Sequence, residues 1–235
     1  MMRDTVKDQK YFKLKLAEER ASLVTFEQAL KDVIASRGEK DKGVQNGYSI
    51  IADTYQKIIN IMYSLGSDLN EISHEYNSLL PYFCKTWNIN SGYMKLIKIL
   101  SLGALLAIDS MKIKQLEEKI LAENVNDFLV GFLLKYLDTS WTSSGNNFVF
   151  GGIYNDLKII IDEKNPIKQL QKIEVYLKSK WYKLHKDCSW YDTHNTETYV
   201  GYWSFEAGAV VKILRLDDTE LKGLKYYPYD LVHYH

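Results

Sequence analysis

The sequence has little of what disulfide-rich and β-rich proteins depend on. It contains 2 cysteines, 3 prolines and 13 glycines in 235 residues. Two distant cysteines, Cys84 and Cys188, cannot build a disulfide framework, and they favour a reducing compartment. A β-sandwich of this length would need many more turn residues. The scarcity of proline and glycine therefore favours helices joined by short loops.

The chain also lacks an excess of charge and a long hydrophobic run. Its 30 Lys and Arg residues are balanced by 30 Asp and Glu residues, whereas a nucleic-acid-binding domain normally carries a basic excess for the phosphates. The longest apolar run, residues 99–108, is about half the length of a membrane span. The first 20 residues are too charged for the core of a secretory signal. We therefore expect a cytoplasmic protein that binds neither nucleic acid nor a membrane.

Hydrophobic side chains, in contrast, are abundant. They make up 46% of the sequence, which is enough to build a sizeable core and argues against disorder. Apolar residues recur at helical spacing in nine segments: 4–36, 51–65, 68–80, 91–108, 111–121, 125–137, 153–162, 166–185 and 200–215. This pattern predicts an all-α protein, a helical bundle or stacked helical hairpins in two helical halves, residues 1–122 and 123–235. Pro81 is expected to end the third helix.

Charge and aromatic residues are segregated in the second half of the chain. Residues 158–186 contain eight lysines and three acids, and residues 187–235 contain eight acids and four basic residues. Half of the 18 tyrosines lie at or after Tyr176. An acidic surface with interleaved Tyr and Trp is typical of an interface for a basic protein, because the acids steer the partner and the aromatics anchor it. The alternative is that the lysines form a solvated helix face and the aromatics form core.

Residue types that bind metals or act as nucleophiles occur near residue 190. His185, Asp187, His194 and Glu197 lie within 13 residues and include zinc-ligand types, but a loop lacks the i,i+4 helix geometry of a persuasive motif. The neighbouring Cys188 is a candidate thiolate or a small packed side chain. No phosphate-binding loop or nucleophile elbow occurs. We expect no cofactor, no metal and no catalysis, and we keep a metal-dependent hydrolase and a helical scaffold or adaptor as alternatives.

Two stretches of the sequence are similar to a known family. One is YVGYWSFEAGAVVKILRLDD at residues 199–218, continued by YYPYDL at residues 226–231, and the other is Met2-Arg-Asp-Thr5 with the charged helix after it. Over essentially the whole chain they resemble the PoNi family, immunity proteins of bacterial polymorphic toxin systems, with its N- and C-terminal domains in the usual order. The resemblance implies an all-helical, non-enzymatic protein of the cytoplasm. It also implies that the protein binds and blocks a PoNe-type DNase toxin delivered between competing bacteria.

The resemblance adds meaning to the acidic second half of the chain. A nuclease presents a basic cleft that seeks phosphates, and an acidic helical surface can occupy such a cleft. The residues expected to bind the toxin are Asp187, Trp190, Asp192, Glu197, Tyr199, Tyr202, Glu206, Asp217, Asp218 and Asp230. Trp203 and Phe205 are expected in the core because their helix needs a buried face. For Glu206 the alternative is an acid that complements the dipole at the start of a helix. The sequence leaves the oligomeric state open.

Overall fold

A computed structural model describes residues 1–143 and 145–235, and within these residues it contains helices and no strand. This confirms the predicted all-α class. The chain forms two compact units. The first consists of Met1–Asn88 and Thr193–Gly201, and the second of Ile89–Asp192 and Tyr202–His235. These units have different bounds from the predicted halves, 1–122 and 123–235, which stay a prediction.

Three long helices form the first unit. They are α1 (Gln9–Arg37), α2 (Lys42–Leu65) and α3 (Leu69–Thr86). Each begins after an aspartate, Asp8, Asp41 or Asp68, whose carboxylate accepts a hydrogen bond of 2.7 Å from a backbone N–H of the first turn. Helix α2 ends at Gly66 in the left-handed conformation, with φ of 85°. A Cβ at this position would lie 2.0 Å from the Met1 carbonyl oxygen, so the turn requires glycine.

Helix α3 continues through Pro81, so the prediction that this proline ends the helix is wrong. Proline inside a helix lacks an N–H donor and typically costs about 3 kcal/mol. Buried Tyr76, Leu79, Leu80 and Phe83 lie on both sides of the proline. Their burial holds the helix together, since each large apolar side chain contributes about 1.5–3 kcal/mol.

The second unit is built from shorter helices. They are α4 (Tyr93–Leu105), α5 (Ser110–Ala122), α6 (Phe128–Leu137), α7 (Asn155–Asp162), α8 (Pro166–Val175), α9 (Trp181–Leu184), α10 (Phe205–Leu214) and α11 (Tyr229–Val232). The apolar helix α4 packs against α6 and α10 and forms the centre of the core. In α10, a Cβ at Gly208 would lie 2.6 Å from Pro228 Cγ, so this glycine allows the C-terminal segment to approach closely.

Two predicted helices of the second half differ from the observed ones. The segment 166–185 is interrupted by a π-helical turn, Tyr176–Lys180, between α8 and α9. The last long helix begins at Phe205 rather than at residue 200, because Gly201 has φ of 101°, outside the helical region. Within residues 1–143 and 145–235, no helix combines the length and the apolar character needed to cross a membrane.

Candidate functional site

Aromatic rings gather around helix α9 in the second unit and form what we call the aromatic cluster. Its members are Trp181, Tyr182, His185, Trp190, Tyr191, Tyr202 and Tyr226. Trp181 lies at its centre, with ring centroids of Tyr226 at 4.7 Å and Trp190 at 5.4 Å. Tyr182 stacks on Tyr191 at 4.3 Å. Contacts of this kind add about 0.5–1.5 kcal/mol per pair beyond the burial of area, so the cluster is a rigid support.

A buried carboxylate fixes the centre of the aromatic cluster. The Trp181 indole N–H donates to Glu206 Oε1 at 2.5 Å, and the Ser204 hydroxyl donates to the same oxygen at 2.9 Å. Glu206 is buried in the first turn of α10. Burial, and secondly the charge of Glu206, raise the pKa of the Tyr154 and Tyr176 phenols far above the usual value. Both phenols therefore stay neutral.

The loop after α9 brings acidic side chains to the surface beside these rings. The Tyr182 hydroxyl donates to Asp192 Oδ1 at 2.6 Å, and the backbone N–H of Asp192 donates back to the same hydroxyl at 3.1 Å. Asp187 and Asp192 are exposed, whereas Tyr182, Trp190 and Tyr191 are half-buried. We call these five residues the acidic–aromatic patch. Paired hydrogen bonds and stacking fix its shape before any partner binds.

Segment Thr193–Gly201 belongs to the first unit and is anchored there by Tyr199. The Tyr199 hydroxyl donates to Asp4 Oδ2 at 2.6 Å, and the backbone carbonyl of Tyr199 accepts from the Tyr11 hydroxyl at 2.9 Å. Its ring lies 6.0 Å from that of Phe12. Glu197, in contrast, is exposed. Burial of the Tyr11 phenol raises its pKa, and the negative charge of Glu197 raises it further.

The neighbouring aspartates Asp217 and Asp218, both expected to bind the toxin, have different environments. Asp218 is 2% exposed and accepts a hydrogen bond from the Tyr227 hydroxyl at 2.5 Å, and His233 Nε2 lies 2.9 Å from its other oxygen. Asp217 is exposed and accepts from the hydroxyl and the N–H of Thr219, which lowers the pKa of its carboxyl. Asp230, at the start of α11, is exposed.

The structure corrects the placement of four residues that were expected on the binding surface. Tyr199, Tyr202, Glu206 and Asp218 are buried. Each has an aromatic or hydrogen-bonded partner in the interior, so its side chain stabilises the fold instead of facing solvent. Asp187, Asp192, Glu197, Asp217 and Asp230 are exposed and Trp190 is half-buried. That these six contact a partner stays a prediction.

The alternative of a metal-dependent hydrolase concerned His185, Asp187, His194 and Glu197. His185 is buried, and its Nδ1 lies 2.7 Å from the Trp181 carbonyl oxygen. In the part of the chain that the structure describes, no three His, Cys, Asp or Glu side chains are grouped for a metal ion. Burial, followed by the charge of Asp187, raises the pKa of Cys188 to about 11, the reverse of an activated thiolate.

Sequence reasoning did not single out the tyrosines of the acidic–aromatic patch. Tyr182 stacks on Tyr191, has the Trp190 ring 6.4 Å away and donates a hydrogen bond to Asp192. Neither tyrosine was expected to bind the partner. The available signal was the density of aromatic residues after Tyr176, which indicated the region but could not separate core rings from surface rings.

Two family profiles match the chain in sequence order. Residues 3–118 match the family described as PoNe immunity protein (PoNi), N-terminal, and residues 125–231 match PoNe immunity proteins (PoNi), C-terminal. The chain belongs to the PoNe immunity protein family. Membership confirms the predicted resemblance, and it makes the chain an immunity protein rather than an enzyme. It also implies a cognate toxin as partner.

One solved structure has a fold similar to that of this chain. The crystal structure of protein PA2201 from Pseudomonas aeruginosa is similar to this chain with a TM-score of 0.67 and 19% sequence identity. The match covers 100% of this chain and 90% of that one. At this identity the likeness concerns the fold alone. No curated protein matches the sequence significantly.

Proposed function

We propose that this immunity protein neutralises a DNase toxin in the cytoplasm of the cell that produces the immunity protein. It would do so by placing the acidic–aromatic patch over the DNA-binding cleft of the toxin. The observation that carries the proposal is that exposed Asp187 and Asp192 and half-buried Trp190 lie within six residues of one loop. A cleft that binds phosphates is basic, so the two carboxylates would attract the cleft of the toxin to the patch. The indole would supply the apolar anchor of the contact.

The fixed geometry of the patch supports tight binding. Tyr182 is hydrogen-bonded to Asp192 and stacked on Tyr191, so few side chains have to be ordered when the toxin binds. Each immobilised side chain that is already fixed avoids about 0.5–1.5 kcal/mol of entropic cost. The ammonium of Lys225 lies 4.8 Å from the Tyr226 ring centre, so the rings of the cluster also have a basic group beside them.

Co-expression with the toxin encoded beside this chain tests the proposed function. The toxin gene alone should kill the host, and wild-type chain should restore growth. The double variant Asp187→Lys with Asp192→Asn should lose protection. Asparagine is chosen at position 192 because this residue has φ of 58°, a conformation that Asn tolerates well.

The matched control is Glu220→Lys, which changes an exposed acid of the same unit outside the patch. It should protect like the wild type, and all variants should keep the helical circular dichroism and the melting temperature. A neighbouring gene that is harmless alone, or that still kills beside this chain, contradicts the immunity proposal.

The claim that the cleft itself is covered needs a separate measurement. Duplex DNA should displace the chain from a catalytically inactive toxin in a concentration-dependent manner, because both would occupy the same basic surface. If the chain binds the inactive toxin but DNA does not displace it, the chain binds the toxin outside the DNA-binding cleft.

A further inference from the structure

The second unit also has a groove whose composition and charge differ from those of the acidic–aromatic patch. It is an open space of about 520 Å³ between α7, α8 and the π-helical turn. Apolar and basic side chains line it, chiefly Ile159, Ile160, Val175, Lys168, Lys172 and Lys180. Ile159 is 55% exposed and Val175 is 52% exposed, so the floor presents apolar surface to solvent. Exposed apolar surface rimmed by polar residues marks interaction sites.

The walls of the groove are held in place by specific contacts. The buried Gln169 amide donates to the carbonyl oxygens of Ile160 at 3.1 Å and Glu163 at 2.8 Å, which ties the end of α7 to α8. Lys172 pairs with Glu163 at 2.8 Å, and Lys180 pairs with Asp156 at 2.5 Å across the groove. The groove is therefore formed before a partner arrives, which lowers the entropic cost of binding.

The charge around the groove indicates the chemistry of its occupant. Three lysines, Lys168, Lys172 and Lys180, and one acid, Asp156, line the groove, which gives an excess of two positive charges. Lys168 is exposed and, among the residues that the structure describes, its ammonium makes no ion pair. An occupant with acidic side chains would gain from this field, and apolar side chains at helical spacing would fit the floor of Ile159 and Val175.

We infer that this groove is a second docking surface for the toxin and receives an acidic, amphipathic segment of it. The inference rests on the proposed function, since it takes the toxin to be the partner. It assigns two opposed contacts to one complex. The acidic–aromatic patch would meet a basic surface of the toxin, and the groove would meet an acidic one. Complementary potentials at two places fix the orientation of a complex more strictly than one contact does.

The test measures the affinity of a catalytically inactive form of the neighbouring toxin for matched pairs of variants. Ile159→Gln removes an apolar anchor from the groove floor. Ile167→Gln removes an isoleucine of α8 outside the groove that is 67% exposed, against 55% for Ile159. Lys168→Glu reverses a charge of the rim, and Lys164→Glu reverses an exposed lysine that does not line the groove. Glutamate in the first turn of α8 complements the helix dipole, so the fold tolerates it.

We expect each groove variant to weaken binding about tenfold and the combined variant about a hundredfold, with changes below about twofold in both controls. The Lys168→Glu effect should shrink in high salt, whereas the Ile159→Gln effect should persist. Groove variants that bind like their controls, while wild type binds and protects, overturn the groove and leave the proposed function standing. Wild type that does not bind the toxin overturns both.

One further outcome separates the toxin from a second copy of this chain. If wild type is a dimer in light scattering, and Ile159→Gln makes it a monomer with unchanged toxin affinity, the groove is a self-association surface and the inference is wrong. A wild type whose mass does not change with Ile159→Gln, together with the loss of toxin affinity, supports the inference.

Discussion

The basic segment 158–186 and the acidic segment 187–235 use their charges in different ways. None of the eight lysines in the basic segment is buried, and several form surface pairs such as Lys178 with Glu174 at 2.5 Å. In the acidic segment, Glu206 and Asp218 are buried and accept hydrogen bonds from aromatic side chains. Long lysine stems carry their charge to solvent, whereas a short carboxylate can be satisfied inside. A count of charges along the sequence therefore matches the surface for all eight lysines of the basic segment and for six of the eight acids of the acidic segment.

The strongest way to break this comparison is to remove the buried acid. Glu206→Ala should lower the free energy of unfolding by about 3 kcal/mol, because it leaves the Trp181 indole N–H and the Ser204 hydroxyl buried without their acceptor. Urea denaturation followed by circular dichroism measures the change.

The matched control for this loss is Glu220→Ala, in which an exposed acid is removed. It should change stability by less than about 0.5 kcal/mol. Equal effects of the two substitutions would mean that burial does not separate structural acids from surface acids in this protein.

The pH dependence of one surface pair sharpens the comparison. The hydrogen bond from Lys172, followed by the backbone N–H of Asn165, lowers the pKa of Glu163 to about 2. A carboxyl whose pKa is lower in the folded state stabilises the fold above its unfolded pKa, about 4.3, and loses this contribution as the pH falls towards 2. Glu163→Gln should therefore lower the melting temperature at pH 7, and the difference from wild type should shrink between about pH 4.3 and 2. A difference that does not vary with pH would contradict the assignment.

The smallest effect is expected from an exposed ion pair. Lys178→Ala removes the pair with Glu174, whose side chains are 55% and 45% exposed. Surface i,i+4 pairs contribute about 0.3–0.5 kcal/mol, and salt screens them. Thermal denaturation at low and high salt should show a small loss of stability that disappears in high salt. A loss above about 1 kcal/mol would mean that the lysines of this segment support the fold as the buried acids do.

The helices were predictable where local chemistry decides them. Apolar spacing over residues 51–65 indicated the second half of α2, which begins at Lys42, and the resemblance to the PoNi family predicted the all-helical fold. Pro81 was misjudged because its local cost is outweighed by the burial of neighbours such as Tyr76 and Phe83, which depends on the rest of the unit. Periodicity describes one face of a helix and not what covers that face.

The candidate site was predictable as a region and not as a set of residues. Tyr199 was expected on the surface, but its hydroxyl binds Asp4, 195 residues earlier in the chain. Glu206 was expected to contact the toxin, but its carboxylate accepts a hydrogen bond in the interior from Trp181, 25 residues earlier in the chain. Such partners are distant in sequence, so no local pattern reveals them. Phe205, expected in the core, is buried, and Trp203 is half-buried.

The measurement that tests the central claim most directly is the dissociation constant of this chain and the inactive neighbouring toxin, taken for wild type and for Asp187→Lys with Asp192→Asn across a range of salt concentrations. Wild type should bind tightly, with an affinity that falls as salt rises. The variant should bind at least about tenfold more weakly at low salt and show a flatter salt dependence. Unchanged affinity and salt dependence in a folded variant would contradict the account, because the acidic–aromatic patch would then not hold the toxin.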